Sequence, residues 1–192
     1  MSLTDFLLKN VVQKLLGGSA LGLLLLGSQA HAEPIKRTPL ANSKAHILQA
    51  VTLSPEVETI YFSGLLPPPV NPAAATDQLK AEGNTQRQTE AVFKRLHDAL
   101  AVQGLDFQDV IQLRIYLVAD PTTGKLDFNG LQQAYTQFFG SSSQPNLPTR
   151  TTVGVASLVL PGALIEIEAI AARPVQSSTA AVTAPSVTAR PE

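Results

Sequence analysis

A short stretch of strict alternation constrains the fold of this 192-residue chain more than any other feature. The segment 110–118 reads VIQLRIYLV; its odd positions are apolar, whereas the even positions from Gln112 to Tyr116 are polar or amphipathic. Successive side chains of a strand point to opposite faces, so this pattern predicts a strand with one apolar side. A sheet built from such strands needs a cover on one face and can leave its other face in solvent.

Two amphipathic segments can supply that cover. Apolar residues at helical spacing predict a helix over 85–102, which begins with a Thr85-x-x-Gln88 capping pattern and ends near Gly104. A second helix is predicted over 126–139, because its large apolar residues follow one stripe and Gly140 comes directly after it.

Strand signals precede the first helix. Residues 46–53 and 57–63 are rich in β-branched and aromatic side chains, and Ser54-Pro55-Glu56 separates them. A separation of this length between two strand-like runs predicts a β-hairpin. The proline-rich segment that follows Gly64 is interpreted as a loop leading to the first helix.

Two more strands close the domain. They are predicted over 150–159 and 164–172, with Pro161-Gly162 at the turn between them. The complete order is ββαβαββ, which favours an α+β domain. In such a domain one mixed sheet is covered on its apolar face by two helices.

The two ends of the chain differ from this domain. Residues 1–32 contain lysines ahead of a short apolar run and end on Ala30-His31-Ala32, a pattern typical of a cleavable secretory signal. The run is shorter than the roughly 20 residues that a membrane span needs, although an uncleaved anchor is the alternative. Residues 33–45 are predicted as an N-terminal extension and 174–192 as a flexible tail. We therefore expect a periplasmic or secreted protein, free of the membrane once the signal is cleaved.

Composition excludes several classes of function. The chain has no cysteine, which removes disulfides, thiolate metal sites and thiol nucleophiles. It has 14 Lys and Arg residues against 15 Asp and Glu residues, so there is no excess of cations for nucleic-acid binding. Outside residues 1–32 the histidines are His46 and His97, without a pattern of acidic partners, so no metal site is expected.

Residues able to carry chemistry concentrate in the last two predicted strands. If Val153 faces the apolar side, alternation places Arg150 and Thr152 on the polar side, together with Glu166 and Glu168. We expect that side to be the one without helices. A solvated sheet face that simply carries charges is the alternative interpretation.

The predicted hairpin also gives a register. It sets Gly154 opposite Glu168 and Arg150 opposite Ala172. Arg150 and Glu166 would then be separated by on the order of 20 Å along the strands. A pocket that uses both residues would need a second chain to supply one of them.

The same strands carry a family resemblance. The run from Pro148 to Val153, PTRTTV, followed by LIEIEAIA from Leu164, resembles the closing signature of the RidA (YjgF/YER057c/UK114) family of enamine/imine deaminases. The runs Phe62-Ser63-Gly64, GNTQRQT from Gly83 and YTQFF from Tyr135 agree with it. Residues 46–173 are accordingly identified as a RidA-like domain.

This resemblance implies a chorismate-mutase-like fold that assembles as a homotrimer, with pockets between subunits. It implies that Arg150 binds the carboxylate of a small 2-imino or enamine acid, since its planar guanidinium matches a carboxylate. The catalytic residue would be Glu166, which activates the water that attacks the imine carbon and releases ammonia and a 2-keto acid. The resemblance further implies substrate contacts at Thr152, Gly64 and Gln132, and neither a metal nor an organic cofactor.

The chain departs from the usual family pattern at several of these positions. Leu65 follows Ser63-Gly64 where Gln is common, Gln132 aligns with an Asn, and Thr152 replaces a small or thiol residue. Gly64 can contact the substrate through its backbone or serve only as a turn residue. The alternative function is a noncatalytic trimer that binds small carboxylates or shields unfolded clients. The ribonuclease activity attributed to some relatives is disfavoured by the balance of charge.

Overall fold

The computed structural model describes residues 33–41 and 45–175. Over these residues the helices and strands follow in the order β1 Ile35–Pro39, β2 Leu48–Leu53, β3 Val57–Leu65, α1 Thr85–Val102, β4 Val110–Leu117, α2 Phe128–Phe138, β5 Thr149–Gly154 and β6 Ile165–Pro174. The signal peptide predicted over 1–32 and most of the tail predicted over 174–192 lie outside the described residues.

Four of these strands form one mixed sheet in the order β3-β6-β4-β5. Strand β6 runs antiparallel to both β3 and β4, whereas β4 and β5 are parallel neighbours. Parallel neighbours require a crossover connection, and α2 lies in it. Both helices pack on the apolar face of the sheet. The predicted α+β fold, with two helices on one side of a mixed sheet, is confirmed.

The core lies between this face and the helices. The side chains of Leu113, Ile115 and Leu117 are almost fully buried, as the alternation in 110–118 predicted. Phe93 of α1 is fully buried and contacts the Tyr135 ring of α2, with 6.3 Å between the ring centroids. Each such side chain contributes about 1.5–3 kcal/mol by leaving water, so this layer dominates the stability of the domain.

Helix α1 has the predicted bounds but a different cap. Asn84 is the N-cap residue, and its side chain accepts a hydrogen bond of 3.0 Å from the Arg87 amide. The predicted capping box between Thr85 and Gln88 is therefore wrong. Gln88 is buried, and its side-chain oxygen instead accepts from the Leu164 amide at 2.7 Å. Gln88 therefore bonds to a backbone amide far away along the chain instead of a local one. This hydrogen bond links α1 to the start of β6.

Helix α2 lies within the predicted range 126–139. It begins after Asp127, whose side chain accepts a hydrogen bond of 2.8 Å from the Gly130 amide. The chain leaves the helix through Gly140, which has a φ of 76°. This left-handed conformation has no steric cost for glycine, so the predicted stop signal is confirmed.

The predicted hairpin of 46–53 and 57–63 is wrong. Strand β2 pairs with β1, which lies in the predicted N-terminal extension, and β3 pairs with β6. The observed order therefore has one strand more than ββαβαββ. A turn sequence makes the chain bend, but it does not determine which strand satisfies the backbone groups on either side of the bend. Strand β2 instead approaches the start of β5, where the Leu48 amide donates to the Pro148 carbonyl at 3.0 Å.

The predicted pairing of the last two strands is also wrong. Strand β4 lies between β5 and β6, so Gly154 pairs with Leu117 and not with Glu168. Arg150 pairs with Leu113, which in turn pairs with Ala169 rather than Ala172. The segment between β5 and β6 passes the end of β4, where the Val155 amide donates to the Leu117 carbonyl and the Val118 amide donates to the Leu164 carbonyl. Strand β5 itself ends at Gly154 instead of continuing to residue 159.

This arrangement reverses the two faces of β5. Paired residues of neighbouring strands point to the same side, so Arg150 and Thr152 face the helices with Leu113 and Ile115. The predicted placement of these two residues on the polar face is therefore wrong, and Val153 lies there instead, 43% exposed. Strand β5 has few large apolar residues, so its register is set by β4 and not by its own pattern.

The described part of the chain contains no helix long and apolar enough to cross a membrane.

Candidate functional site

Arg150 lies on β5 at the sheet edge, beneath α2. Its guanidinium stacks over the ring of Tyr135, with 4.4 Å from Cζ to the ring centroid, and lies 5.6 Å from the centroid of Phe128. Its Nη2 donates a hydrogen bond of 3.0 Å to the Gln132 side chain. The three partners follow helical spacing along α2 and so present one stripe to the arginine. The guanidinium is therefore held by two aromatic rings and one neutral acceptor.

The electrostatic environment of Arg150 differs from that of an exposed arginine. Arg150 is largely buried, and burial lowers its pKa, although the nearby Tyr135 hydroxyl opposes that effect. Its Nη1 is buried and has no hydrogen-bond partner, and Arg150 forms no ion pair with any carboxylate in residues 33–41 and 45–175. A buried cation without a counter-ion is costly, so the site favours an incoming anion.

Thr152 continues the same side of β5. Its hydroxyl oxygen is also buried without a hydrogen-bond partner. Thr152 and Arg150 are two residues apart on one strand face, so their Cα atoms are separated by roughly 7 Å. Buried polar groups are normally paired, so two unpaired groups on one short strand indicate a site that a polar ligand completes.

Tyr135 supports the floor of this site. Its hydroxyl donates a hydrogen bond of 2.6 Å to the His46 carbonyl, which joins α2 to the segment before β2. Burial raises the pKa of Tyr135, and the positive charge of Arg150 acts in the opposite direction. The phenol therefore stays protonated and keeps its donor role in the neutral range.

Glu166 lies on the opposite face of the sheet. It pairs with Tyr116 of β4, and its carboxylate packs directly against the backbone of Gly64. A Cβ at Gly64 would collide with Glu166 Oε1. Within the described residues, the Glu166 carboxylate accepts no hydrogen bond and forms no ion pair. Gly64 sits at a bulge inside β3, so it is not a turn residue, and its missing side chain makes room for the glutamate.

The neighbouring Glu168 differs from Glu166. Its carboxylate accepts hydrogen bonds from Arg114 at 3.2 Å and from the Tyr116 hydroxyl at 3.1 Å. The hydrogen bond to Glu168 raises the pKa of Tyr116. Of the two glutamates on the open face, Glu168 pairs with two side chains of the neighbouring strand β4, whereas Glu166 has no side-chain partner among the described residues.

A hollow of about 220 Å³ opens on the same face of the sheet. It lies between β3, β4 and β6 and is lined by Tyr61, Phe62, Ser63, Gln112, Arg114, Glu168, Ala169 and Ile170. Neither Arg150 nor Glu166 lines it, and its strongest charges, Arg114 and Glu168, already pair with each other.

The structure thus divides the predicted site residues into two groups. Arg150 and Thr152 face α2, where Gln132 accepts a hydrogen bond from Arg150, whereas Glu166 and Gly64 lie together on the open face. The spacing of apolar residues places the aromatic stripe of α2 in the core and does not reveal its contact with Arg150. The signal was available, because Phe128 and Tyr135 share the helical face of Gln132.

Histidines do not form a metal centre in this part of the chain. Over residues 33–41 and 45–175 no group of three or more His, Cys, Asp or Glu side chains is arranged to hold an ion. The ring of His97 packs 5.8 Å from that of Phe107, which gives it a structural role.

Comparison with known proteins identifies the family. Residues 43–173 match the family model described as "Endoribonuclease L-PSP". The chain is 32% identical over 111 residues to Protein DfrA of Myxococcus xanthus, covering 58% of this chain and 73% of that protein.

A solved structure has the same fold. A protein of the Rid family from Yersinia pestis has a TM-score of 0.54 at 23% identity, covering 72% of this chain and 98% of that chain. A member of the YjgF/YER057c/UK114 family from Mycobacterium tuberculosis has a TM-score of 0.44 at 23% identity, covering 71% of this chain and 98% of that chain. On the match over residues 43–173, this chain belongs to the RidA (YjgF/YER057c/UK114) family.

Proposed function

We propose that the protein hydrolyses small 2-imino and enamine acids to 2-keto acids and ammonia. The observation that carries this proposal is the state of Arg150. Its guanidinium is largely buried, has a free Nη1 and lacks a counter-ion among the described residues. A carboxylate is the ligand that fits, because it restores charge balance and accepts the unused donors of a planar fork.

The second catalytic requirement is a free carboxylate near the imine carbon. Glu166 fits this role, since it is unpaired and its position is fixed by contact with Gly64. A carboxylate in hydrogen-bond reach of a water acts as a general base. The electrophilic imine carbon then needs little more than positioning, so this proposal involves no metal and no organic cofactor.

One chain does not supply both groups to one pocket. Arg150 faces the helices and Glu166 faces the opposite side of the sheet, on strands separated by β4. We therefore propose a homotrimer whose pockets combine Arg150 of one subunit with Glu166 of its neighbour. The exposed Tyr61 and Val153 on the open face support such an interface, since apolar side chains there would be covered.

The proposed reaction proceeds in two steps. Glu166 takes a proton from water while the water oxygen bonds to the imine carbon, which gives a carbinolamine. Proton transfer to nitrogen and cleavage of the C–N bond then release ammonia, leave the carbonyl of the 2-keto acid and restore the Glu166 carboxylate. An enamine enters the same sequence after protonation at its terminal carbon to the imine. Throughout, Arg150 holds the substrate carboxylate.

Imine hydrolysis by purified protein tests this function. An amino-acid oxidase generates imines in situ, and 2-keto acid formation is followed above the spontaneous rate. We expect Arg150→Ala and Glu166→Gln each to lower kcat/KM at least about a hundredfold, in the range of a lost general base or anchoring group. Arg87→Ala, an exposed change on α1, is the matched control and should retain activity. Full activity in Arg150→Ala would contradict the assignment.

The same preparation separates the alternatives. Calorimetric binding of 2-ketobutyrate without any turnover would identify a noncatalytic carboxylate-binding protein instead. Cleavage of single-stranded RNA, which survives Arg150→Ala, would favour the activity named in the family description. The proposed location is the periplasm, following cleavage after Ala32. N-terminal sequencing of the protein from a periplasmic extract should then begin at Glu33, and an intact Met1 would contradict export with cleavage.

A further inference from the structure

The helix-facing side of β5 is polar at one end and lacks a side chain at the other. Arg150, Thr152 and Gly154 occupy alternate positions of the strand, so all three lie on this side at intervals of roughly 7 Å. The first two carry the unpaired polar atoms described above. The third, at the far end of this side, has no side chain, and Leu126 fills the room that the glycine leaves.

Apolar groups surround that far end. A Cβ placed on Gly154 would lie 2.8 Å from Leu126 Cδ1, so the Leu126 side chain covers the space that the glycine leaves. Leu126 and Phe128 are each 47% exposed, although both are large apolar residues. Phe128 also lies beside the Arg150 guanidinium. Half-exposed apolar side chains next to an unpaired cation indicate a binding site for a molecule with both an acid group and an apolar part.

The apolar rim, defined here as Leu126 and Phe128, is held rigidly. The Asp120 side chain accepts hydrogen bonds from the Thr122 and Thr123 amides at 2.9 and 3.0 Å. The Asp120 amide donates to the Lys125 carbonyl at 2.9 Å, directly before Leu126. On the other side, Asp127 begins α2. Because both flanks are fixed, the rim is a rigid apolar surface and not a loose loop tip.

We propose that the apolar rim makes the protein selective for 2-imino acids with branched or aromatic side chains. This inference rests on the proposed function, because it assigns the substrate of the same site. The substrate carboxylate binds Arg150 and Thr152, and its side chain lies against Leu126 and Phe128. An imine derived from alanine leaves this rim in water, whereas one derived from leucine covers it.

The test compares leucine-derived and alanine-derived imines. For the unaltered protein we expect kcat/KM to be roughly tenfold or more higher with the leucine-derived imine, as a few methylene groups in an apolar site allow. In Leu126→Ser the ratio of the two values should fall at least about fivefold. Leu126→Met should retain the ratio, and Val102→Ser, which removes an 82% exposed apolar residue elsewhere, should leave it unchanged. Equal kcat/KM values in the unaltered protein, or an equal loss for both imines in Leu126→Ser, would overturn the inference.

Binding measurements separate this inference from the proposed function. If the unaltered protein accelerates no imine hydrolysis, the proposed function fails. The dissociation constants for 4-methyl-2-oxopentanoate and pyruvate then decide the inference. Tighter binding of the branched acid, lost in Leu126→Ser and retained in Leu126→Met, supports the rim as a selectivity element. Equal binding, or binding of neither acid, rejects it.

Discussion

Arg150 and Glu166 point to opposite faces of the same sheet. Arg150 is level with Leu113 of β4, and Glu166 is level with Tyr116 of the same strand. Their Cα atoms are therefore separated by two strand spacings and three residues, roughly 14 Å, with the sheet between the side chains. A pocket containing both groups requires two chains. This relationship gives the first prediction.

Inactive variants should complement each other in mixed oligomers. Arg150→Ala and Glu166→Gln each lack one half of a shared site, but an intact half from each can meet at a mixed interface. A complete site needs an intact Arg150 from one subunit and an intact Glu166 from its neighbour. With random mixing after co-expression each is present with a probability of one half, so about one quarter of the sites should be active. Activity per subunit after co-purification measures this. If each variant is inactive alone and co-expression restores no activity, the sites lie within single chains.

Gly64→Ala should impair catalysis more than stability. The new methyl group would collide with the Glu166 carboxylate and displace it, and a displacement of about 1 Å can cost on the order of a hundredfold in rate. The kcat for imine hydrolysis is the readout, with thermal unfolding measured in parallel.

The double variant Gly64→Ala with Glu166→Asp should recover part of that loss, because the shorter side chain leaves room for the methyl group. Ser63→Ala, at the exposed neighbouring position, serves as the control. An unchanged kcat in Gly64→Ala would show that the position of Glu166 does not matter.

Arg37 should contribute strongly to stability through backbone contacts. Its guanidinium donates hydrogen bonds to the carbonyls of Gln108 at 2.7 Å, Leu147 at 2.9 Å and Val110 at 3.1 Å. We expect Arg37→Ala to lower the free energy of unfolding by about 2–3 kcal/mol, because partly buried carbonyls lose a charged donor. Urea unfolding measures the loss, with the exposed Lys36→Ala as a control. Equal midpoints for the two variants would contradict this role.

Tyr135 should make stability depend on alkaline pH. Its pKa is raised above the ordinary value of 10, chiefly by burial, so the folded state favours the protonated phenol. The resulting stabilisation is complete below pH 10 and is lost as the pH rises toward the folded-state pKa. Tyr135→Phe should therefore show a smaller drop in the free energy of unfolding between pH 8 and pH 11 than the unaltered protein.

At neutral pH the same variant should cost about 1 kcal/mol, since the hydrogen bond to the His46 carbonyl is lost. Tyr61→Phe, at a 74% exposed position, should change neither quantity. If Tyr135→Phe follows the pH dependence of the unaltered protein, another group is responsible for the alkaline loss.

Local patterns in the sequence predict much of this fold. The alternation of β4 determines its buried face, and the bounds of α1 follow from apolar spacing and from the polar residues before it. Family motifs identify Arg150 and Glu166 as candidate site residues, but they do not show where the two residues lie in space. These properties depend on residues within one or two turns of each other, which is why a single sequence contains them.

The sequence alone, therefore, determined both helices, most of the strands, the α+β class and the identity of the charged residues. Only the tertiary structure decided that β4 separates β5 from β6, that Arg150 faces the helices and that Phe128 and Tyr135 surround it. The reason is physical: β5 has one large apolar side chain, Val153, and too weak a pattern to choose its own face. Its register comes from backbone hydrogen bonds to β4, whose residues lie far away along the chain.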